Sequence, residues 1–300
     1  MHITANEVKK FQRTVSDYYK KNKRAFPWRP PQLLLRKDGR ADPYKILVSE
    51  IMLQQTQADR VVPFFNAFMK KFPTVKALAK GPQAEVLKSW QGLGYNRRAL
   101  NLKRAAERIV SEFGGVVPAT LDELDSLPGV GRYTAGAVLA FSHNLPSAFI
   151  ETNIRSVYLH FFFKNRENVR DAEILELVEQ TLPNKVQSRS YLFPDSRSDL
   201  TKVEPCSVRE WYAALMDYGA MLKETIGNPN PRSAHYGKQK AFKGSRRELR
   251  GEILRKAGKG LISARDFTSS AAAHFSVSMV LNELTHEGFL RKQGQKFGLA

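Results

Sequence analysis

Apolar residues recur at helical spacing through the first three quarters of the chain, and this periodicity limits the fold more than any other feature. No alternation of apolar and polar residues typical of a strand occurs before residue 245, and turns rich in Gly and Pro separate the periodic segments. The pattern therefore predicts an all-α domain at residues 1–224. Its helices are predicted at 5–22, 43–57, 58–71, 83–91, 98–113, 120–126, 132–143, 152–163, 171–181 and 207–224.

A change in composition marks the end of this domain. Residues 225–244 lack periodicity and are rich in Gly, Pro and Lys, so we interpret them as a basic linker. The order of elements that follows is typical of a winged-helix module at residues 245–300, called here the C-terminal module, which is an α+β variant that usually binds duplex DNA. A small packing or protein-contact module is the alternative. The elements predicted are helices at 246–256, 263–273 and 276–287, and two short strands around a basic glycine turn at 288–299.

The charge balance indicates a polyanionic partner. The chain has 48 Lys and Arg against 29 Asp and Glu, a formal charge of +19, which exceeds what solubility needs. Nucleic acid is favoured over an anionic membrane because no apolar run approaches the roughly 20 residues of a membrane-spanning helix and no basic amphipathic tail is set apart from the rest. The predicted C-terminal module adds double-stranded DNA as the expected partner. The N-terminal segment resembles an amphipathic helix rather than a secretory signal, and we expect a monomeric cytoplasmic protein associated with the nucleoid.

Cysteine usage limits the cofactors. The single cysteine, Cys206, cannot form an intramolecular disulfide, a zinc site with several cysteines or an iron–sulfur cluster. We expect no cofactor and no metal held by side chains. Two irregular and partly basic runs, 31–41 and 187–207, have the character of inserted loops.

The strongest local motif is LPGVGRYTAGAV at residues 127–138. Two glycines two residues apart let the backbone turn tightly between helices, so that amide groups point outward at the start of the next helix. Such amides, aided by the helix dipole and by a monovalent cation on the hairpin backbone at 127–132, can hold a DNA phosphate without reading bases. An ordinary helix–helix turn is the alternative. The residues assigned to this predicted DNA contact are Leu127, Gly129, Val130, Gly131, Arg132 and Thr134.

The hairpin is one of six blocks that follow one another along residues 24–224. The others are FPWR at 26–29, SEIMLQQTQ at 49–57, KKFPTV at 70–75, WQGLGY at 90–95 and MDYGAM at 216–221. In this order they resemble the helix-hairpin-helix (HhH-GPD) DNA glycosylase superfamily, especially its adenine-mismatch branch. The resemblance implies a two-lobed helical fold and hydrolysis of the N-glycosidic bond of a base flipped out of DNA.

The chemistry implied by the resemblance commonly divides the work between two carboxylates, because the sugar becomes an oxocarbenium-like cation. Glu50 lies among apolar residues of a predicted helix, and such surroundings raise a carboxyl pKa and keep a proton available for the leaving base. In the family the matching Glu protonates purine N7. A Glu on the helix surface or in a helix cap is the alternative.

The second carboxylate is the main departure from the family. Residues 151–153 are Glu-Thr-Asn, where the family has Asp-Gly-Asn. Two interpretations of Glu151 stay open. It either stabilises the sugar cation or positions water, or it is only a carboxylate at a helix start, in a protein whose catalysis is impaired or redistributed. Asn153 is assigned to the DNA-binding residues.

Tyr133 determines the subclass of reaction. Family members that also cut the DNA backbone carry a lysine here, because an amine forms a Schiff base with the sugar. A phenol cannot, so we predict a monofunctional enzyme with Tyr133 lining the base pocket. A tyrosine that only packs in the core is the alternative.

Further DNA contacts are implied by the resemblance. Gln54 and Gln55 are expected to fill the gap left by the flipped base, and Tyr95 to wedge into the base stack, with core packing as the alternative for Tyr95. Arg97 is expected near the strand backbone together with Arg98 and Lys103, unless these three charges lie on a solvated helix face.

Two further departures concern domains and cofactors. In many relatives, four cysteines after the helix that matches 211–223 hold an iron–sulfur cluster. This chain has Lys223 and an Asn-Pro-rich linker there instead. A C-terminal Nudix-like domain that recognises 8-oxoguanine is not expected either. The basic residues expected to replace the DNA contacts of the lost cluster loop are Lys223, Arg232, Lys238, Lys240 and Lys243.

These inferences predict a monofunctional DNA glycosylase of base excision repair. Adenine in a purine mismatch is the first substrate, because the role assigned to Glu50 needs a base with an N7. One alternative is a mismatch glycosylase for thymine, uracil or a modified pyrimidine opposite guanine, with which Tyr133 and Glu151 are compatible. The other is a catalytically weak protein that binds DNA lesions.

Overall fold

The structure is a computed structural model that describes residues 2–30, 35, 39–183, 207–237, 241–268 and 270–300. Cys206, Lys238 and Lys240, together with most of the runs 31–41 and 187–207, lie outside these residues. The described part is mostly helical, with one antiparallel pair of strands near the C-terminus. The predicted class, all-α with a small C-terminal α+β portion, is confirmed. None of the helices in the described ranges is long and apolar enough to span a bilayer.

The helices before residue 237 follow the predicted order, with two differences. The helix predicted at 43–57 ends at Leu53, because the next residues leave helical geometry and Gln55 has a φ of 55°. An unpredicted six-residue helix begins after Thr74, which caps it, and is too short to show a period. The helices are α1 (Ala5–Asn22), α2 (Pro43–Leu53), α3 (Ala58–Lys71), α4 (Val75–Lys80), α5 (Gln83–Trp90), α6 (Arg97–Glu112), α7 (Leu121–Asp125), α8 (Arg132–His143), α9 (Thr152–Phe162), α10 (Asp171–Thr181) and α11 (Val208–Thr225).

The chain forms two compact units, and each is made of separate stretches of sequence. The first comprises Met1–Glu50, Ala119–Ser126 and Val130–Gly237. Its core is aromatic: the ring of Phe11 on α1 lies 5.4 Å from that of Tyr158 on α9 and 5.6 Å from that of Trp211 on α11. These edge-on contacts bury three large rings together and hold the helices of this unit around one core.

The second unit comprises Ile51–Pro118, Leu127–Gly129 and Lys238–Ala300. Trp90, at the end of α5, is fully buried, and its ring lies edge-on to that of Phe68 on α3 at 5.9 Å. The C-terminal module belongs to this same unit, so its core continues into that of α3 to α6. The domain boundaries predicted at 224 and 245 stay a prediction.

The C-terminal module contains α12 (Arg246–Ala257), α13 (Ser270–His274), α14 (Val277–His286) and the antiparallel strands β1 (Leu290–Gln293) and β2 (Lys296–Leu299). The helix predicted at 263–273 is wrong in its first half. Ser263 and Asp266 bond to each other and close a single 3-10 turn, after which the extended backbone of Phe267 interrupts the helix. Ile262 then pairs with Phe297 of β2 and extends the strand pair by one bridge.

Candidate functional site

A buried carboxyl group lies on α2 within the first unit. Glu50 is only 4% exposed, and the phenol of Tyr133 on α8 donates a hydrogen bond to its Oε2 at 3.3 Å. Tyr133 is in turn held by Phe149, whose ring lies edge-on at 5.5 Å. The structure thus brings together two of the three residues predicted to be catalytic.

Burial makes the carboxyl group of Glu50 a weaker acid than an exposed glutamate. Burial raises the pKa of Glu50 from 4.5 to about 7, the hydrogen bond from Tyr133 opposes that rise, and the negative charge of Glu151 adds to it. The pKa of the Tyr133 phenol is raised well above its usual value, first by burial and then by the charge of Glu50. At neutral pH a large fraction of Glu50 therefore carries a proton, as the sequence predicted, and Tyr133 remains a hydrogen-bond donor.

Glu151 is the N-cap of α9. Its Oε1 accepts the backbone N–H groups of Asn153 at 2.7 Å and Ile154 at 2.8 Å, and its Oε2 accepts the hydroxyl of Thr152 at 3.1 Å. These donors and the helix dipole favour a negative charge here. This is the geometry of the helix-start alternative, and it also fixes the carboxylate in one orientation.

Asn153 connects α9 to α11. The ammonium of Lys223 on α11 donates to Asn153 Oδ1 at 2.7 Å, and burial lowers the pKa of Lys223 while the charge of Glu151 opposes that shift. Gly219 on α11 touches the same segment, because a Cβ there would lie 2.3 Å from the Asn153 carbonyl oxygen. A glycine is needed for this close crossing. The sequence predicted that Lys223 and Asn153 contact DNA, and the structure instead pairs them with each other.

An ion pair that the sequence analysis missed lies in the same unit. Asp217 on α11 is buried and accepts Arg29 Nη1 at 2.9 Å and Arg24 Nε at 2.8 Å. The positive charge of Arg29 also lowers the pKa of Glu50, although less than burial raises it. Both Arg29 and Asp217 stand in blocks that carried the family resemblance, FPWR and MDYGAM, and that was the available signal.

The predicted hairpin forms between α7 and α8. Gly129 has a φ of 78°, and a Cβ there would lie 2.6 Å from the Cβ of Asn101, so glycine is required on both grounds. Gly131 is the N-cap of α8 and supplies no side-chain cap, so the first N–H groups of α8 are not capped by that residue. Gly129 and Gly131 are both exposed, which fits the predicted phosphate site.

The side chains around the hairpin divide into two groups. Leu127, Val130 and Thr134 are buried, so their predicted DNA contacts are limited to backbone groups. Arg132 is exposed, and its guanidinium lies 3.6 Å from the carboxylate of Asp122. The predicted DNA contacts of this hairpin stay a prediction.

A second set of predicted residues lies in the second unit. Gln55 and Tyr95 are exposed and both have left-handed backbones, with φ values of 55° and 49°. Gln54 is half-buried and donates from Nε2 to the carbonyl of Gly129 at 3.4 Å. Non-glycine residues in this conformation are enriched at functional sites, and they are consistent with the predicted gap-filling and wedge roles.

Arg98 supports this set from a buried position. Its guanidinium is buried and donates to the carbonyls of Ile51 at 3.0 Å and Met52 at 2.8 Å, which end α2. Burial lowers the pKa of Arg98 to about 10. Lys103 is likewise buried and donates to the carbonyl of Ala79 at 2.6 Å. The solvated-face alternative is therefore wrong for these two residues, because helix and loop carbonyls take up their donors, and their predicted contact with the DNA strand backbone stays a prediction.

Arg232 is also engaged by the protein itself. It donates to the carbonyls of Phe163 and Lys164 at 2.6 Å, beyond the end of α9, and to that of Leu159 at 3.1 Å. A DNA phosphate would have to compete with three carbonyls for this guanidinium. Lys243 is exposed, and its predicted DNA contact stays a prediction.

Within the ranges that the structure covers, no group of three or more His, Cys, Asp or Glu side chains is arranged to hold a metal ion. The expected absence of cofactors stays a prediction.

The helical fold, the hairpin and the buried carboxyl group define a class. Residues 48–184 match the family of HhH-GPD superfamily base excision DNA repair proteins, and the chain belongs to this family. It is 30% identical to the adenine DNA glycosylase of Mycolicibacterium smegmatis over 246 residues, which cover 79% of this chain and 76% of that relative. It is 36% identical to the adenine DNA glycosylase of Buchnera aphidicola over 212 residues, 71% of this chain. The chain spans about half of the length of the Buchnera protein, 52%.

Two solved structures share the fold. A thermostable thymine-DNA glycosylase superposes with a TM-score of 0.55 and 25% identity, over 72% of this chain and 87% of that one. The Helicobacter pylori 3-methyladenine DNA glycosylase bound to 1,N6-ethenoadenine gives a TM-score of 0.52 at 16% identity, over 73% and 98% of the two chains. These similarities agree with the fold predicted from the six sequence blocks.

Proposed function

We propose that the protein is a monofunctional DNA glycosylase that removes adenine from a purine mismatch in double-stranded DNA. One observation carries the proposal: a buried carboxyl group with a pKa of about 7, Glu50, and a fixed carboxylate, Glu151, close enough to influence its acidity. A buried carboxyl group that keeps its proton can serve as the acid, and a carboxylate held in place by backbone N–H donors can serve as the charge stabiliser. The relatives named adenine DNA glycosylase support adenine as the base.

The proposed reaction uses both groups. Glu50 donates its proton to N7 of the flipped adenine, the C1′–N9 bond breaks with its electron pair going to the base, and adenine leaves neutral. The carboxylate of Glu151 stabilises the resulting sugar cation. Water then adds to C1′, and its proton returns to the Glu50 carboxylate, which leaves an abasic site and restores the acid. General acid catalysis of this kind typically contributes about 10²- to 10⁴-fold.

The proposal includes the absence of strand cleavage. Position 133 is a tyrosine, whose phenol forms no Schiff base with the sugar. The amine of Lys223 is influenced by the charge of Glu151, and its ammonium is bonded to Asn153 Oδ1. Borohydride trapping tests the point directly, because a Schiff base would be reduced to a stable protein–DNA adduct.

DNA binding is proposed to rest mainly on phosphate contacts. The formal charge of +19 and the start of α8, which its N-cap Gly131 leaves without a side-chain cap, support it. The predicted monovalent cation at the hairpin backbone belongs to the same proposal. Affinity for a duplex should fall steeply as salt rises, since each neutralised phosphate releases counterions.

The test is a single-turnover assay on duplexes carrying adenine opposite 8-oxoguanine, guanine or cytosine, hypoxanthine, and thymine or uracil opposite guanine. Cleavage that needs added alkali, on adenine duplexes, is the expected result. Release of thymine or uracil instead would support the pyrimidine alternative, which the similarity to a thymine-DNA glycosylase at 25% identity favours. Tight binding without release of any base would refute catalysis and support the lesion-binding alternative.

A further inference from the structure

The C-terminal module contacts the loop that carries the predicted wedge residue. Within the second unit, Arg97 Nη2 lies 2.8 Å from Glu287 Oε2, where α14 ends. Gln83 Nε2 donates to the carbonyl of Gly288 at 2.7 Å, and Gln91 Nε2 donates to that of Leu254 at 3.1 Å. Three side chains of the 83–97 segment therefore reach the module, on both sides of Trp90.

Gly258, directly after α12, lies against the side chain of Gln91. A Cβ at Gly258 would lie 2.2 Å from Gln91 Nε2, the same nitrogen that bonds the Leu254 carbonyl. A larger residue at position 258 would force that amide away from its partner. The bond between Gln91 and Leu254 thus depends on glycine at position 258.

Two guanidinium groups lie near the ring of Tyr95. Arg98, which is buried, stands 5.4 Å from the centre of the Tyr95 ring, and Arg247 of α12 stands 6.0 Å from it. Arg247 Nη1 also donates to the Tyr95 hydroxyl at 3.0 Å. Tyr95 as a whole is 38% exposed, so the residue stays accessible to solvent despite these contacts.

The module is poorly suited to reading a major groove by itself. In the winged-helix order, α14 occupies the place of the recognition helix, yet its sequence VSMVLNELTH contains no Lys or Arg. Glu283 of α14 accepts a hydrogen bond from Arg246, and Glu287 directly after it accepts one from Arg250 at 2.7 Å. The carboxylates paired with Arg246 and Arg250 offset positive charge of α12 and so weaken its attraction for phosphates.

We propose that the C-terminal module positions the wedge of the glycosylase, with Arg247 as a positioning residue for Tyr95. The inference rests on the proposed function, because a wedge matters only to a protein that opens the base stack. Unstacking a base step costs a few kcal/mol in such proteins. A ring that is already oriented by Arg247 and Arg98 loses less conformational freedom when it enters the stack.

Arg247→Ala tests the proposal in the full-length protein. Arg246→Ala is the matched control, since it removes the same charge from the neighbouring position of α12, where the side chain bonds Glu283 instead. Both changes affect partly or fully exposed side chains, and thermal unfolding checks that both variants fold. Two quantities are measured: the single-turnover rate of base release, and the fluorescence of a 2-aminopurine placed beside the target base, which rises when the stack opens.

Arg247→Ala is expected to lower both the single-turnover rate and the 2-aminopurine signal by roughly five- to tenfold, as expected for loss of one charged contact to an aromatic ring. Arg246→Ala should change neither by more than about twofold. In a Tyr95→Leu background, which lacks the ring, Arg247→Ala should have no further effect. That coupling separates positioning of Tyr95 from simple loss of positive charge.

Equal rates and signals for wild type and Arg247→Ala would overturn the proposal, as would equal losses in Arg246→Ala or an undiminished effect in the Tyr95→Leu background. The fluorescence is independent of catalysis. If the wild type opened the stack and released no base, while Arg247→Ala failed to open it, the proposed function would fail and the positioning role would stand.

Discussion

Glu50→Gln separates the acid role of this carboxyl group from its structural role. Glutamine has nearly the same shape, and its amide oxygen can still accept the hydrogen bond from Tyr133. It has no proton to donate at N7, so release of adenine should fall by about 10²- to 10⁴-fold. Release of a pyrimidine, which has no N7, should be largely unaffected by the substitution.

The same substitution has a predictable effect on stability. The pKa of Glu50 is 4.5 without burial and about 7 in the folded protein. The unfolded chain therefore binds fewer protons than the folded protein between these values, and stability falls as pH rises from about 4.5 to about 7. At 1.36 kcal/mol per pKa unit the loss amounts to about 3 kcal/mol. Glutamine does not titrate, so the variant escapes this loss.

Urea unfolding of both proteins between pH 4 and pH 8 measures the effect. The free energy of unfolding of Glu50→Gln minus that of the wild type should grow by about 3 kcal/mol over this range and level off above pH 7 to 8. Wild-type base release should decline over the same upper interval, as the acid loses its proton. Activity and stability thus report the same titration.

Glu85→Gln is a control whose effect on stability should depend on pH in the opposite direction. Glu85 is on the surface of α5, and a hydrogen bond from Lys71 is the main cause that lowers its pKa, so its contribution to stability is lost at low pH instead. A pH-independent difference between Glu50→Gln and the wild type would refute the assignment of Glu50 as a buried acid. So would equal loss of purine and pyrimidine release.

Three further predictions follow from the first unit and from Arg98. Glu151→Gln should reduce base release at least about 100-fold and leave duplex affinity unchanged. Full activity of this variant would show that Glu151 is only a helix cap. Glu151→Ala should in addition lower the free energy of unfolding in urea by about 1 kcal/mol, because it removes the cap. Gly219→Ala should destabilise the protein by about 1–3 kcal/mol or more, since its Cβ would lie 2.3 Å from the Asn153 carbonyl oxygen, and an unchanged melting temperature would contradict this crossing. Arg98→Ala should cost about 3 kcal/mol, because buried carbonyls that end α2 lose their donor, and a change of only a few tenths in urea unfolding would count against it.

The fold was largely predictable because its signals are local. Helical spacing gave the order of the helices, and Gly129 and Gly131 gave the hairpin. The failures came from distant partners. Nothing near residue 57 indicates that α2 ends at Leu53, since Arg98, 44 positions after Gln54, supplies donors to the last carbonyls. The prediction of the second helix of the C-terminal module was wrong for a local reason, because Ser263 and Asp266 bond to each other and close a 3-10 turn.

The candidate site shows the same division. The apolar neighbours of Glu50 correctly predicted its burial and its raised pKa. The residues at 151–153 indicated a carboxylate at a helix start as one of two interpretations. Basic residues were harder to place, because a sequence does not show which carbonyls or carboxylates need a donor. Arg98, Lys103 and Arg232 were therefore expected to contact DNA although they bond to the protein's own backbone.

The discontinuous make-up of the two units bears on how the chain is synthesised. The first unit is complete only when residue 237 has been made, and the second needs residues up to 300. Protein synthesis adds about 5–20 residues per second, so several seconds or more pass between the synthesis of residues 51–118 and that of residues 238–300, which belong to the same unit. During translation the apolar surface of residues 51–118 is open to chaperones and to aggregation. Early stop codons should therefore yield insoluble fragments, even where they spare every residue proposed to act on the base.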